Sequence, residues 1–241
     1  MRESMNLIFG RPDIVDGIGL IHPVTLVDYD EFQDASSFIY YSKAHFGKEF
    51  ANYPLLDLIV YGLRDDKIIK DIETVIKIVT KKNSSLYLDE ESGVYGFYID
   101  EGSSLTNQNY EAFRSIVMRQ NLMFEQKVYK DKRTQEWAQK VMAAKSKSGV
   151  RIEVEDMITT VATYSGKHYW DLEKYTIYQL QSEFKRISKI KGYDSDVAIA
   201  CVNGDGSKIG HFAEYLDLFR NPYDDLFVSK DKLSNLNKAL S

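Results

Sequence analysis

Four histidines, one cysteine and a glycine-rich turn are the residues of this chain whose chemistry would show first in a sequence. His22, His45, His168 and His211 are scattered. None lies three or four residues from another histidine, the spacing by which one helix face presents two imidazoles to a zinc ion. The ordinary role of a hydrogen-bonded or surface imidazole is the expectation for each. The run Asn203-Gly-Asp-Gly-Ser-Lys-Ile-Gly210 invites comparison with phosphate cradles, where backbone N–H groups of a glycine-rich turn face an anion. Its spacing is G-x-G-x-x-x-G, not G-x-G-x-x-G, and it lacks the Gly-Lys-Ser/Thr of a P-loop. It also lacks the acidic ladder and closing glutamate of a calcium loop, so a tight polar turn is expected. Cys201 sits in the apolar run Val197–Val202, which predicts a small buried thiol with a disfavoured thiolate. No G-x-S-x-G elbow is present, and Asp65-Asp66 and Asp224-Asp225 read as solvated turns or helix faces. An enzyme would have to assemble its site from distant groups, such as His168 with Asp171 and Glu173 near Trp170. The expectation is therefore a binding or assembly component without catalytic, cofactor or metal residues.

A second set of residues suggests contact, not reaction. Lys127, Lys130, Lys132 and Arg133, followed by Lys140, Lys145 and Lys147, have Phe124, Tyr129 and Trp137 as aromatic neighbours. Cations interleaved with rings suit nucleic acid, but Glu125, Asp131 and Glu136 interrupt them, and a solvated helix face is favoured. Near the C-terminus Leu233, Leu236 and Leu240 recur at helical steps and could dock on their own domain or on a partner. The candidate interaction surface is accordingly Lys127, Tyr129, Lys130, Arg133 and Trp137 together with these three leucines.

Bulk composition narrows the classes. The 241 residues are enough for one generous domain or two small ones. A net charge of −5 provides no broad basic field, which disfavours nonspecific nucleic-acid binding. One cysteine excludes an internal disulfide and fits a reducing cytoplasm. Apolar runs such as Pro54–Val60 are too short to span a bilayer, and the opening residues lack a signal-peptide pattern. Seventeen tyrosines against two tryptophans give flat apolar bodies with polar tips, suited to interfaces and to half-buried core edges alike.

The elements that must position these residues are mostly helices. Gly19–Leu26 reads as an extended entry, with Pro23 biasing His22 away from helix. Thr25 and Asp28 resemble a cap for a helix bearing Tyr29, Phe32, Ser36, Ile39 and Tyr40. Pro54 opens a helix carrying Leu55, Leu56, Leu58 and Ile59. Ile68, Ile69, Ile72, Val75, Ile76 and Val79 define an amphipathic helix. Two alternating segments around Glu90-Glu91-Ser92-Gly93 predict a β-hairpin. Thr106 or Asn107 would cap a helix through Tyr110, Phe113, Ile116 and Val117; Asp131 or Thr134 would begin another, ending in an exposed tract at Ala143–Gly149. A helix over Glu153–Tyr164 stops at Gly166, and Thr176-Ile-Tyr-Gln179 forms a capping box for a last helix. The fold class expected is mainly α, a multi-helix α+β chain with a small β-hairpin near the middle. Its parts would be residues 1–83, a hairpin at 84–104, a second helical part at 105–228 and a helical tail at 229–241.

Four stretches carry a family likeness. They are Ile21–Phe32, the Phe113–Asn121 helix ending Arg-Gln-Asn, and Glu155–Ala162 with Tyr169–Ile187. Together they resemble tail-operon proteins of phages infecting Gram-positive bacteria. The resemblance implies a virion-morphogenesis protein, either an assembly chaperone holding the tape-measure protein or a tail or baseplate subunit. It implies other tail proteins as partners, no membrane, and residence in the host cytoplasm during assembly or in the virion tail. It transfers no functional residue. The alternative is a nucleic-acid-associated regulator using Lys127–Lys147.

Overall fold

The computed structural model describes residues 2–63, 65–89, 94–125, 128–129, 131–148, 152–207 and 209–220. They form the mainly α structure with a central hairpin that the sequence predicts, and carry in all two small antiparallel sheets. By contact density the chain divides into one unit of residues 1–125 with 153–218 and another of residues 126–152 with 219–241.

At the centre of the first unit is helix α4, Asp66–Thr80, which presents Ile68, Ile72, Val75, Ile76 and Val79 along one buried stripe. It starts where the Asp65 carboxylate accepts from the Lys67 N–H at 2.9 Å, relieving one of the orphan donors of a helix start. It ends at Lys81 in left-handed geometry, φ 60°, whose ammonium reaches Asp28 at 2.9 Å. The helix shares its core with Phe32 and Ala35 of α2, Tyr29–Ala35, and with Phe38 and Ile39 of the 3-10 turn that follows. Helix α2 begins three residues later than a cap at Thr25 suggests, because Leu26–Asp28 first make a 3-10 turn. After Pro54 the chain makes one short helix, α3, Leu55–Asp57, and then widens into a π turn over Leu58–Gly62.

The hairpin is β3, Ser85–Asp89, with β4, Val94–Asp100, in the register Leu86↔Phe97 and Leu88↔Tyr95; its connecting residues lie outside those described. A third strand, β5, Ser103–Leu105, extends it. Gly96 is the close-approach point of this sheet. A β-carbon there would lie 2.8 Å from the Leu105 carbonyl oxygen and about 3 Å from the Tyr87 ring. On the open edge of β3 the Leu86 N–H donates to the Glu73 carboxylate of α4 at 3.2 Å. Sequence periodicity misses α1, Arg2–Ile8, and also β5 and β1, Asp13–Val15, since three-residue strands hold too little alternation to register; β2, Gly19–Ile21, which pairs with β1, falls in the segment read as an extended entry.

Helix α5, Tyr110–Gln120, starts after Asn109, so neither Thr106 nor Asn107 is its cap. Asn109 ties the entry instead, accepting from Thr106 N–H at 2.8 Å and donating to the Ser104 carbonyl at 2.8 Å. The end of α5 is a buried polar clasp. Arg119 pairs with Asp13 at 2.9 Å; Gln120 donates to Asp13 at 2.9 Å and to the Ile21 carbonyl at 3.0 Å; Asn121 accepts from the Val24 N–H at 3.1 Å. Arg114, one turn earlier, donates to the Ile39 carbonyl at 2.8 Å. The Arg-Gln-Asn sequence is thus explained by structure: it holds the Asp13 carboxylate of β1 and satisfies the backbone groups of Ile21 in β2 and of Val24 after it.

The remaining elements of this unit are α7, Val154–Ser165, α8, Tyr169–Leu172, and α9, Ile177–Asn203, around a second core of Val161, Leu172, Ile177, Leu180 and Ile187. In the other unit α6, Lys132–Ser148, begins at Asp131, whose carboxylate accepts from both the N–H and the hydroxyl of Thr134 at 2.8 Å. Those bonds hold the Asp131 carboxyl below its ordinary range. The Ala143–Gly149 tract read as a helix end is still helical to Ser148, because alanine and lysine propagate a helix well.

Two substitutions test this packing. Gly96→Ala is expected to lower unfolding free energy by about 1–3 kcal/mol in urea titration, since Leu105 backbone stands in the way. The buried Tyr110 hydroxyl has no partner among the described residues, so Tyr110→Phe should leave stability equal or raise it by about 1 kcal/mol.

Candidate functional site

Helix α9 gathers the features that look outward. Its start is the best-tied helix end of the chain. Thr176 is buried, its hydroxyl accepts from the Gln179 N–H at 3.2 Å, and its own N–H donates to the Gln179 side-chain oxygen at 2.8 Å. The Gln179 amide group then reaches across the unit to the Ile8 carbonyl at 2.8 Å. Thr176 also bridges Thr25, and Leu26 donates to the Tyr175 carbonyl at 2.8 Å. Gly10 takes left-handed geometry, φ 61°, beside Gln179 and Thr176, whose side chains would lie 3.5 Å from a β-carbon there. Tyr178 adds an apolar tie, buried with Leu7, Leu122 and Leu218.

Beyond Ile187 no residue of α9 is buried. This corrects the sequence expectation for Cys201, which is exposed on the last turn of the helix. Ile199 is 58% exposed and Val202 86%. A six-residue apolar run in a helix points in all directions, so the run alone could not show which side is covered. Residues 209–217 return along one side: Arg186 donates to the Phe212 and Glu214 carbonyls, Lys189 pairs with Glu214 at 3.0 Å, and Tyr193 meets the Phe212 ring edge-on. The Lys189 ammonium keeps the Glu214 carboxyl below its usual range. On another side α7 and α9 flank a shallow, open groove of about 510 Å³, lined by Thr159, Thr160, Thr163, Tyr164, Ile187 and Lys191. The Lys191 ammonium lies 5.2 Å from the centre of the Tyr164 ring. Val202 lies three turns further along the same helix face as Lys191. The groove and the exposed helix end can take an apolar stripe from a protein partner, with threonine hydroxyls to fix its register.

The glycine-rich run resolves into a helix stop and a turn. Gly204 ends α9 in left-handed geometry, φ 76°, and the Asp205 carboxylate accepts from the Ser207 N–H at 2.9 Å. The histidines stay apart. His22 has its imidazole pKa lowered, by burial first and by Lys81 second. His45 bonds Ser42, His168 stacks on Trp170 at 4.6 Å, and His211 stacks on Phe212 at 4.5 Å. His168, Asp171 and Glu173 are all exposed. Among the described residues no group of three or more His, Cys, Asp or Glu side chains is placed to hold a metal ion. No described helix is long and apolar enough to cross a membrane.

Of the residues chosen from sequence for interaction, Arg133 and Trp137 are exposed on α6. Tyr129 is half-buried, its N–H donating to the Gln135 side chain at 2.8 Å. Lys127, Lys130, Leu233, Leu236 and Leu240 lie outside the described residues.

The chain is similar to a prophage protein. The match is to the SPbeta prophage-derived uncharacterized protein YomV of Bacillus subtilis (strain 168), 22% identical over 223 residues, which cover 91% of this chain and 92% of YomV. A family model described as the YomV second domain matches residues 144–217, the stretch that contains α7, α8, α9 and the returning segment. These likenesses support a phage origin for the chain. No solved structure matches it.

The ties at the start of α9 make a direct prediction. Thr176→Val removes the hydroxyl cap and should cost about 1 kcal/mol in urea unfolding, whereas Thr176→Ser should retain most of it. Gln179→Ala should cost at least as much, because it leaves the Ile8 carbonyl and the Thr176 N–H without their side-chain partner.

Proposed function

We propose that this chain is a non-enzymatic phage morphogenesis protein acting in the tail, as an assembly chaperone or as a tail or baseplate subunit, through protein–protein contacts. The observation that carries the reading is the outer half of α9. A helix end with Ile199 and Val202 exposed beside a threonine-lined groove is a surface that contact with another protein would bury. It lies inside the segment matched by the YomV second-domain model, and the wider likeness is to a prophage-derived protein along nearly the whole of both chains. The tail assignment rests on the resemblance of Ile21–Phe32, Phe113–Asn121, Glu155–Ala162 and Tyr169–Ile187 to tail-operon proteins. Partners on this reading are other tail proteins, the tape-measure or baseplate proteins among them, met in the host cytoplasm during assembly.

The test follows the protein through infection. Mass spectrometry of purified virions beside the host lysate should find the chain at fixed stoichiometry in particles if it is a subunit. Abundance in lysate with absence from particles identifies a chaperone, and absence from particles and tail-assembly intermediates alike overturns the tail reading. Ile199→Asp with Val202→Asp should abolish co-purification of tail proteins while leaving the thermal midpoint within about 2 °C of wild type, as expected for exposed positions.

A further inference from the structure

The outer half of α9 is electrically polar along its length. Lys185, Arg186, Lys189 and Lys191 occupy residues 185–191 without an acid, and Asp194 and Asp196 are the charged groups of residues 192–203. One line of this half, Ser188, Gly192, Ser195, Ile199 and Val202, advances by alternating steps of four and three, the spacing that keeps a seam turned toward a second helix. All five residues are exposed. The seam is small at its inner end and branched at its outer end. The Ser188 and Ser195 hydroxyls donate to the Phe184 and Lys191 carbonyls of their own helix at 3.0 Å, so covering them strands no donor. A β-carbon at Gly192 would meet nothing beyond its own helix within 4 Å, and beside it an open groove of about 390 Å³ is lined by Ser188, Gly192, Tyr193 and Phe212.

We infer that this seam pairs with the same seam of a second copy of the chain, the two α9 helices running antiparallel and crossing at Gly192. The inference rests on reading this surface as a protein contact and names its occupant; other tail proteins then meet the paired copies. Charge selects the partner and its direction. Lys189 and Asp196 stand three and a half residues to either side of a point between Gly192 and Tyr193, and Lys191 and Asp194 stand one and a half residues to either side of the same point. A two-fold axis through that point therefore sets each of these lysines level with an aspartate of the other copy. A parallel pair would level lysine with lysine and aspartate with aspartate. Lys189 keeps Glu214 and Lys191 keeps the Tyr164 ring within their own copy, and both residues remain exposed with ammonium hydrogens to spare. Shape agrees with charge. The same axis lays Ile199 of one copy over the Ser188 end of the other, where Gly192 lets the backbones approach and the open groove receives the branched side chain.

The experiment uses the full chain in sedimentation equilibrium up to about 200 µM. A monomer–dimer equilibrium is expected, weakened at least threefold between about 50 and 500 mM salt because the ion pairs stand in water. Gly192→Leu should weaken the dimer at least tenfold while the melting midpoint of the monomer holds or rises, since leucine propagates a helix better than glycine. Asp194→Lys with Asp196→Lys should weaken it at least tenfold, and mixing that variant with a chain carrying Lys189→Asp and Lys191→Asp should restore a dimer within threefold of wild type. In a Cys201→Ser background, Ser188→Cys mixed with Ile199→Cys should form a disulfide at least tenfold faster than Ile199→Cys with itself, whose two positions the antiparallel register holds about 20 Å apart. Circular dichroism melts confirm that each variant folds. A chain monomeric at about 200 µM, a dimer indifferent to Gly192→Leu or to the charge exchange, or an Ile199→Cys homodisulfide that forms as fast as the mixed one overturns the inference and leaves the tail reading to the virion experiment. A dimer built from a chain absent from particles and tail-assembly intermediates overturns the tail reading alone.

Discussion

Thr176 is where the larger unit is held together across the greatest distance in sequence. Its hydroxyl and N–H are both taken up by Gln179, its backbone bridges Thr25, and the remaining Gln179 amide hydrogens serve Ile8, 171 residues away. A helix start leaves four N–H groups without partners, and here the side chains that relieve two local deficits also tie the N-terminal segment to the C-terminal one. Thr176 is buried, so its two bonds to Gln179 stand against part of the cost of leaving its groups unpaired, while the Gln179–Ile8 bond is open to water. The direction of α9, the burial of Tyr178 against Leu7 and Leu122, and the placement of the second core beside Leu26 and Tyr29 all follow from this node.

The other half of the unit solves its polar problem in the same way. Arg114, Gln120 and Asn121, from α5 and its C-cap, bond backbone that no ladder satisfies, and Arg119 and Gln120 hold the Asp13 carboxylate, so the three-residue pairing of β1 and β2 is reinforced by side chains. The exposed edge of β3 is treated likewise, with Glu73 occupying the Leu86 N–H that another strand would seek. A short edge closed by a carboxylate discourages strand addition and leaves helices as the surfaces open to partners.

What sequence reveals of this arrangement depends on whether the cause is local. The stripe of α4 and the Thr176–Gln179 box were legible, because helical spacing and a four-residue cap are complete within one segment. The long-range use of Gln179 was not, since nothing near Thr176 mentions Ile8. The start of α5 was misplaced because Thr106 and Asn109 bond one another before the helix begins. Cys201 was read as buried because hydrophobicity reports what a residue prefers and not whether the chain has anything left to cover it. Arg119-Gln120-Asn121 was visible as a pattern, but its role as a clasp needed the positions of Asp13, Ile21 and Val24.

A rod fixed at one end converts angle into travel. From Thr176 to Val202 the helix rises about 39 Å at the standard pitch, and a turn of 5° at the fixed end carries the far tip through roughly 3 Å. Arg186 and Lys189, clipped to the returning segment, stand part-way along as a brace. The clasp at Thr176 therefore sets not only how firmly α9 is held but how finely its tip is aimed, so slack of a few degrees at a buried threonine becomes misalignment of a whole side-chain width at the exposed end.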